Sequence, residues 1–364
     1  MSAEIKTGAA RPRVLRSGEG FRELGLGARG SEGFRELGRG ARGSEGFREL
    51  GLLVFIAILC LVFQLRNHSF LTLANIKDLL DNTAILGILA VGMMLVLITG
   101  GIDLSIGATI ALAGMTSALT GMAIPNINPL LSILEGMAVG FVIGSVIGLL
   151  VARFKVLPII ATLGIMNIVR GVTYIESKGA WVSAYQMSDG FKALSTGTTI
   201  GVNNLVLIAL VIFVLFWYFV SHTKTGRRIY AIGSNPEAAD VSGIPRRKLL
   251  WLVYATMGVL AGLAGVLWVS KFASAQGDTA LGYELNVIAA CVLGGVSISG
   301  GSGKVSGLVL GTILLGMLNN ALPLIDVSPF WQQFIQGVVI LAAVLTNVAV
   351  KRNNQRLALR KRAI

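Results

Sequence analysis

The stretch 221–248, SHTKTGRRIYAIGSNPEAADVSGIPRRK, decides how the rest of the chain is read. It is a polar island between two long apolar runs, 202–220 and 249–270. Within it Asn235 is suited to N-cap a helix, and Pro236 fits the first helical position, where no amide donor is needed. Glu237 follows in the first turn, where a carboxylate favours the helix dipole. Gly243 can close the helix in the left-handed conformation, and Pro245 stops it restarting. The pattern predicts a helix of about two turns over 235–243, too short to persist in water unless it docks on something. Lys224, Arg227, Arg228, Arg246, Arg247 and Lys248 flank it against the two acids Glu237 and Asp240, which predicts a cytoplasmic loop. Two readings stand: a second protein pushes on the membrane-embedded part here, or the island is a solvated connection with an incidental cap.

Outside the island, apolar residues dominate. The chain is 54% hydrophobic and only 13% charged, whereas a soluble domain carries roughly 25% charged residues. An all-α polytopic protein embedded in membrane lipid is implied. The net charge of +13 falls in the N-terminal tail, short loops and C-terminal tail. That distribution fits an inside-positive membrane protein and argues against nucleic acid as the partner. Cys60 and Cys291 both lie in apolar runs, so free thiols are expected rather than a disulfide framework. No apolar core of signal-peptide length occurs in the first 46 residues. Residues 19–50 instead hold a tandem repeat of period 13, with Phe21, Phe34 and Phe47 marking the register. Its glycines suit no stacked architecture. Residues 1–46 therefore read as a flexible cytoplasmic tail, 47–350 as the transmembrane domain and 351–364 as a basic cytoplasmic tail.

Ten spans with both ends inside satisfy the charge rule. The first needs Phe47–Leu50 in front of 51–65, because that run alone gives about 23 Å of helix against a hydrocarbon core of about 30 Å. The mixed segment 70–80 is expected at the outer interface. The remaining spans are 83–99, 106–124, 130–151, 157–175, 202–220, 249–270, 285–299, 305–322 and 329–350. Gly136, Gly140, Gly144 and Gly148 form one bare stripe on the fourth span, matched by Gly258, Gly262 and Gly265 on the seventh and by Gly307 and Gly311 on the ninth. Such stripes let neighbouring backbones approach closely, since lipid supplies no hydrophobic drive for helix association. Two glycine-broken corners, GGIDLSIG (100–107) and GGVSISGG (294–301), sit at corresponding places between an inward and an outward span. Interrupted segments at matching positions point to a transport path in repeated folds. Asp103 in the first corner either caps the following helix or lines an inner gate.

Glu135 and Arg170 are the charges placed well inside spans. Both lie at similar depth, so an intramembrane pair is one reading and snorkelling the other. No catalytic constellation accompanies them. The GGSGK segment lacks P-loop spacing, and Val305 stands where Ser or Thr is required. His68 and His222 are isolated in loops, which argues against a metal site. A carrier driven by protons or sodium would usually place carboxylates at mid-membrane. What remains is a transport body powered from outside its own chain, with no enzymatic activity and no cofactor of its own.

Four segments, TGGIDLSIG (99–107), LPIIATLGIMNIVRG (157–171), AIGSNPEAADVSGIP (231–245) and AACVLGGVSISGGSG (289–303), together resemble the permease subunits of bacterial ATP-binding-cassette importers for simple sugars. These are the ribose, galactose, xylose and rhamnose type, including the autoinducer-2 importer group. The resemblance covers about 47–350; residues 1–46 match nothing in the family. It implies a multi-pass protein of the bacterial inner (plasma) membrane that works with a second permease, identical or a sister chain. It also implies a cytoplasmic ATPase and a periplasmic or lipid-anchored sugar-binding protein. In such importers the loop between the sixth and seventh spans carries a coupling helix, here involving Asn235, Pro236, Glu237, Ala238, Ala239 and Gly243. ATP binding would move that helix and turn the bundle from inward- to outward-facing. A monosaccharide would then cross a weakly binding cavity between two permeases, with Asp103, Ser105, Thr162, Asn167, Asn319 and Asn320 as candidate lining groups. Uptake of autoinducer-2 or another small polyol, or a membrane scaffold that merely recruits an ATPase, are the alternatives.

Overall fold

The computed structural model describes residues 49–335 other than 125, 126 and 329, together with 337, 338, 341 and 345. Contacts divide the chain into two units, Met1–Gly51 and Leu52–Ile364, and only residues 49–51 of the first are described. The tandem repeat, the C-terminal tail 351–364 and most of the expected last span, 329–350, lie outside the described residues.

Among the described residues, 8 helices are long and apolar enough to cross a membrane. They are α1 (Glu49–Arg66), α2 (Leu73–Ile98), α3 (Ile106–Ala123), α4 (Pro129–Ala152), α5 (Pro158–Ser177), α7 (Asn204–His222), α10 (Arg246–Phe272) and α12 (Val305–Leu324). Four shorter α-helices lie between them, α6 (Asp189–Thr196), α8 (Lys224–Ser234), α9 (Pro236–Val241) and α11 (Tyr283–Leu293), with a 3-10 turn at Ala184–Gln186, and residues 330–335 are helical as well. A two-stranded antiparallel hairpin, β1 (Thr198–Thr199) and β2 (Val202–Asn203), precedes α7.

Helix α2 forms the middle of the bundle. Every residue from Thr83 to Ile98 is buried, as expected of a helix apolar on all sides. Its first turns take in residues 73–80 of the mixed segment, which is therefore continuous with the helix of the following span. The Thr72 hydroxyl accepts from the Asn75 amide at 3.4 Å and starts the helix at Leu73, and neither Gly nor Pro interrupts it before Thr83. Asn75 then exchanges two amide hydrogen bonds with Asn320 of α12, at 3.0 and 3.1 Å.

The expected span 285–299 is corrected. Helix α11 has 11 residues, about 16 Å of rise against a hydrocarbon core of about 30 Å. It stops at Gly294, and Gly295 takes φ +85°. The glycine pair read as a corner between two full spans instead ends a half-length helix.

Helices α4 and α10 meet where Gly136, Gly140 and Gly144 face Gly258 and Gly262, the close backbone approach such stripes permit, while Gly265 faces Ile110 and Gly114 of α3. A carbon added at Gly140 would lie 2.8 Å from the Gly258 carbonyl carbon, and one at Gly144 would lie 3.0 Å from the Gly258 Cα. Gly136 faces the Gly262 carbonyl in the same way, at 2.9 Å. Gly307 and Gly311 of α12 play the same part against the Gly294 end of α11. Backbones are in van der Waals contact along these seams, which suits helices that associate without hydrophobic drive.

Replacing Gly140 with valine should force α4 and α10 apart and cost about 1–3 kcal/mol. The Gly121→Ala change, where nothing lies within 4 Å of the added carbon, should leave stability unchanged or slightly raised. Thermal unfolding of the detergent-purified chain measures both.

Candidate functional site

The polar island folds into two helices rather than one. Helix α9 follows the sequence reading. The Asn235 side chain accepts from the Ala238 amide at 3.0 Å, and Pro236 occupies the first turn. Gly243 adopts φ +72°. Its amide donates to Asp240 O at 3.1 Å, and the Ile244 amide donates to Ala239 O at 3.1 Å. This is the paired closure that a left-handed glycine permits. Ala239 is buried with Ile232 and Leu249 in a small apolar cluster flanked by Ile244 and Leu252. Glu237 and Ala238 face outward, and Val241 is 90% exposed.

Helix α8 was not foreseen, because its basic residues mask a clear apolar spacing. The Thr223 hydroxyl accepts from the Gly226 amide at 3.0 Å and caps it, while Ile229 and Ile232 are buried. Its C-terminal turn reaches both glycine corners at once. The Gly301 amide donates to the Ile98 carbonyl at 2.8 Å, joining the second corner to the end of α2. Gly233 packs into that joint: a carbon added there would meet the Ile98 carbonyl oxygen and lie 2.7 Å from the Gly301 nitrogen. The Tyr230 hydroxyl donates to Gly303 O at 2.6 Å. Gly301 itself has φ +75°, a conformation costly for any residue with a side chain. The two corners that look alike in sequence therefore touch, and α8 is wedged against their contact.

The second notable convergence lies at the starts of α3 and α11. Non-helical residues 99–105 lead from the joint to α3. Asp103 is 2% exposed, and its carboxylate accepts from the Ser105 amide at 2.9 Å and the Ser105 hydroxyl at 2.6 Å. Burial raises the Asp103 carboxyl above the ordinary carboxylate range, and the Ser105 donors oppose that rise. Glu284, in the first turn of α11, reaches over Gly107: a carbon added at Gly107 would lie 2.7 Å from Glu284 Oε2. Sequence reading passed over Glu284 because it borders the apolar run instead of interrupting it. Asp103 thus organises the turn before α3 without capping the helix itself, whose N-cap position is Ser105 and which has no side-chain cap bond.

Glu135 and Arg170 do not meet. Glu135 accepts from the Thr120 hydroxyl at 2.6 Å, which ties α4 to α3. The Arg170 guanidinium donates to Gly277 O at 2.8 Å and Thr279 O at 2.9 Å, holding the loop that leads into α11. Each charge hydrogen-bonds to neutral polar groups on another part of the chain, so matching depth along the helices did not translate into contact. The remaining path candidates are spread out. Thr162 is buried on α5 with its hydroxyl donating to Ile159 O at 3.3 Å, whereas Asn167 is exposed on the same helix and donates to Leu163 O at 2.9 Å. Asn320 is engaged with Asn75, and Asn319 lies half-buried beside it on α12. Among the described residues, Thr162 and Asn167 lie on α5 and Asn319 and Asn320 on α12, apart from Asp103 and Ser105 ahead of α3.

Long apolar helices, half-length α11 and a docked pair of short helices are the architecture of a polytopic membrane protein. The chain belongs to the family described as branched-chain amino acid transport system / permease component, whose profile matches residues 75–344. It is 40% identical over 298 residues to the ribose import permease protein RbsC of Escherichia coli (strain K12), covering 81% of this chain and 92% of that one. The RbsC of Bacillus subtilis (strain 168) is 40% identical over 288 residues, 79% of this chain and 89% of its own. The L-arabinose ABC transporter permease protein AraH of Azospirillum brasilense is 34% identical over 310 residues, 85% and 90% of the two chains. No solved structure matches.

Changing Gly233 to valine should break the joint. Amide exchange in residues 297–303 should then rise roughly tenfold, the loss expected for one backbone hydrogen bond. Asn235→Ala should weaken α9 by about 1 kcal/mol and leave exchange in 297–303 unchanged. Hydrogen–deuterium exchange with mass spectrometry distinguishes the two.

Proposed function

We propose that the chain is the transmembrane permease subunit of an ATP-driven importer, seated in the bacterial inner (plasma) membrane, and that its cargo is a monosaccharide. Its relatives are permeases for ribose and for L-arabinose, both small neutral polyols. Hydrolysis of ATP belongs to a separate cytoplasmic ATPase, and a periplasmic binding protein delivers the sugar. A second permease, a copy of this chain or a sister, completes the path. Both termini and the 221–248 loop are placed on the cytoplasmic side, where the basic clusters fall.

One observation carries the mechanism. Helix α9 offers Glu237, Ala238 and Val241 to an external partner, and it is continuous through Asn235 with α8, whose end is wedged at the Ile98–Gly301 contact. A push on α9 is therefore delivered to the end of α2 and to the loop between α11 and α12. The glycine seams let the helices shift with little side-chain interlocking to undo. Selectivity resides in the delivery protein, since a cavity that bound sugar tightly would retain it.

The double change Glu237→Arg with Ala238→Trp should abolish sugar-driven ATPase activity of the reconstituted importer and leave the unfolding temperature of the permease unchanged. Normal stimulation in that variant would refute the coupling role. Uptake of labelled ribose and L-arabinose into vesicles containing the full importer tests the cargo. A scaffold that merely recruits an ATPase would bind it and show no uptake.

A further inference from the structure

A cleft of about 410 Å³ opens where the end of α4, the start of α5 and the start of α10 come together. Lys155, Arg246 and Arg247 line it, with Asp240 of α9 on one side and an apolar wall that includes Leu157 and Leu250. The three cations are exposed. The one carboxylate is 3.9 Å from Arg246, so it offsets the positive charge only in part.

We infer that this cleft binds the headgroup of an anionic phospholipid whose headgroup carries hydroxyl donors, phosphatidylglycerol being the simplest example. Three features point to a lipid rather than a soluble phosphoester. The cleft lies at the common boundary of three membrane-spanning helices, on the face where basic residues gather, and anionic lipid is concentrated in that leaflet. Leu157 of the apolar wall and Phe154, next to it in the α4–α5 connection, are each 65% exposed, an apolar surface that acyl chains can cover and an inorganic ion cannot. The cations meet the phosphodiester, and Asp240 accepts from the headgroup hydroxyls, a role no choline headgroup can fill. Because Asp240 belongs to α9, the bound lipid links the short helix to the loop between α4 and α5. Lipid composition thereby becomes able to set how firmly α9 is held. The binding site itself does not depend on α9 being the point of coupling.

Native mass spectrometry of the full chain in neutral detergent tests this with short-chain lipids. Dioctanoyl phosphatidylglycerol should bind at least tenfold more tightly than dioctanoyl phosphatidylcholine, and glycerol 3-phosphate should not compete at equal concentration. Neutralising Lys155 and Arg247 together (Lys155→Gln, Arg247→Gln) should weaken phosphatidylglycerol about 25-fold, at about fivefold per cation. The matched change Arg227→Gln with Arg228→Gln, on the exposed side of α8, should leave its affinity unchanged. Equal binding of the two lipids overturns the proposal, as does full competition by glycerol 3-phosphate, which would mark a soluble phosphoester site. An equal loss in both double variants would show diffuse charge attraction and also overturn it. The two-lipid comparison uses the unaltered chain, so it decides the matter even where a variant folds poorly.

Discussion

A single backbone hydrogen bond, from the Gly301 amide to the Ile98 carbonyl, fixes the geometry around which the rest is arranged. The last carbonyls of a helix have no partner within it, and an unpaired backbone group away from water costs about 1–3 kcal/mol. Helix α2 solves this at Ile98 by accepting from Gly301, in a loop far later in the chain. The solution works only if side chains stay out of the way. Gly233 lacks one because the Ile98 carbonyl occupies its place, and Gly301 lacks one because its backbone is left-handed. The joint thus couples three distant parts of the sequence through main-chain atoms alone. Main-chain contacts of this kind transmit displacement directly, with no rotamer to absorb it.

Around that joint the bundle divides its labour. Glycine seams join α4 to α10 and α12 to the end of α11, leaving surfaces that are close but smooth. Polar side chains do the fixing elsewhere. Asn75 and Asn320 clasp α2 to α12, Arg170 holds the carbonyls ahead of α11, and Lys271 donates to Asp81 O at 2.9 Å and Asn82 Oδ1 at 2.7 Å. A body with smooth seams and a few strong clasps has a small number of ways to rearrange. That is what an alternating-access protein driven from one side requires.

Much of this was legible in the sequence. The cap at Asn235, the terminator at Gly243 and the glycine stripes are local or periodic signals, and each depends on the chemistry of one residue type at one spacing. The family resemblance rested in part on the first of these, the segment 231–245 that holds the cap and its terminator. Less legible was anything that depends on which helices become neighbours. Glu135 and Arg170 share a depth, but α4 presents its acid to Thr120 and α5 presents its base to a loop. Asn320 looked like a free polar group and proved to be half of an amide pair. The length of α11 was misjudged because an apolar run continues past Gly294 after the helix has ended. Hydropathy marks where lipid can be tolerated, whereas the helix end is set by two glycines and the neighbour they admit. Helix α8 escaped notice because the basic residues around it dominate the composition of the stretch.

The central claim is that the short helices and the second glycine corner move as one piece when the ATPase changes state. Spin labels on cysteines introduced at Val241, 90% exposed, and Ile298, 36% exposed, in a chain lacking Cys60 and Cys291, measure this by pulsed electron resonance in the assembled importer. Adding nucleotide should leave the Val241–Ile298 distance unchanged while the distance from Val241 to a label at Tyr185, in the loop between α5 and α6, shifts. A Val241–Ile298 distance that changes with nucleotide while the Val241–Tyr185 distance stays fixed would contradict the account.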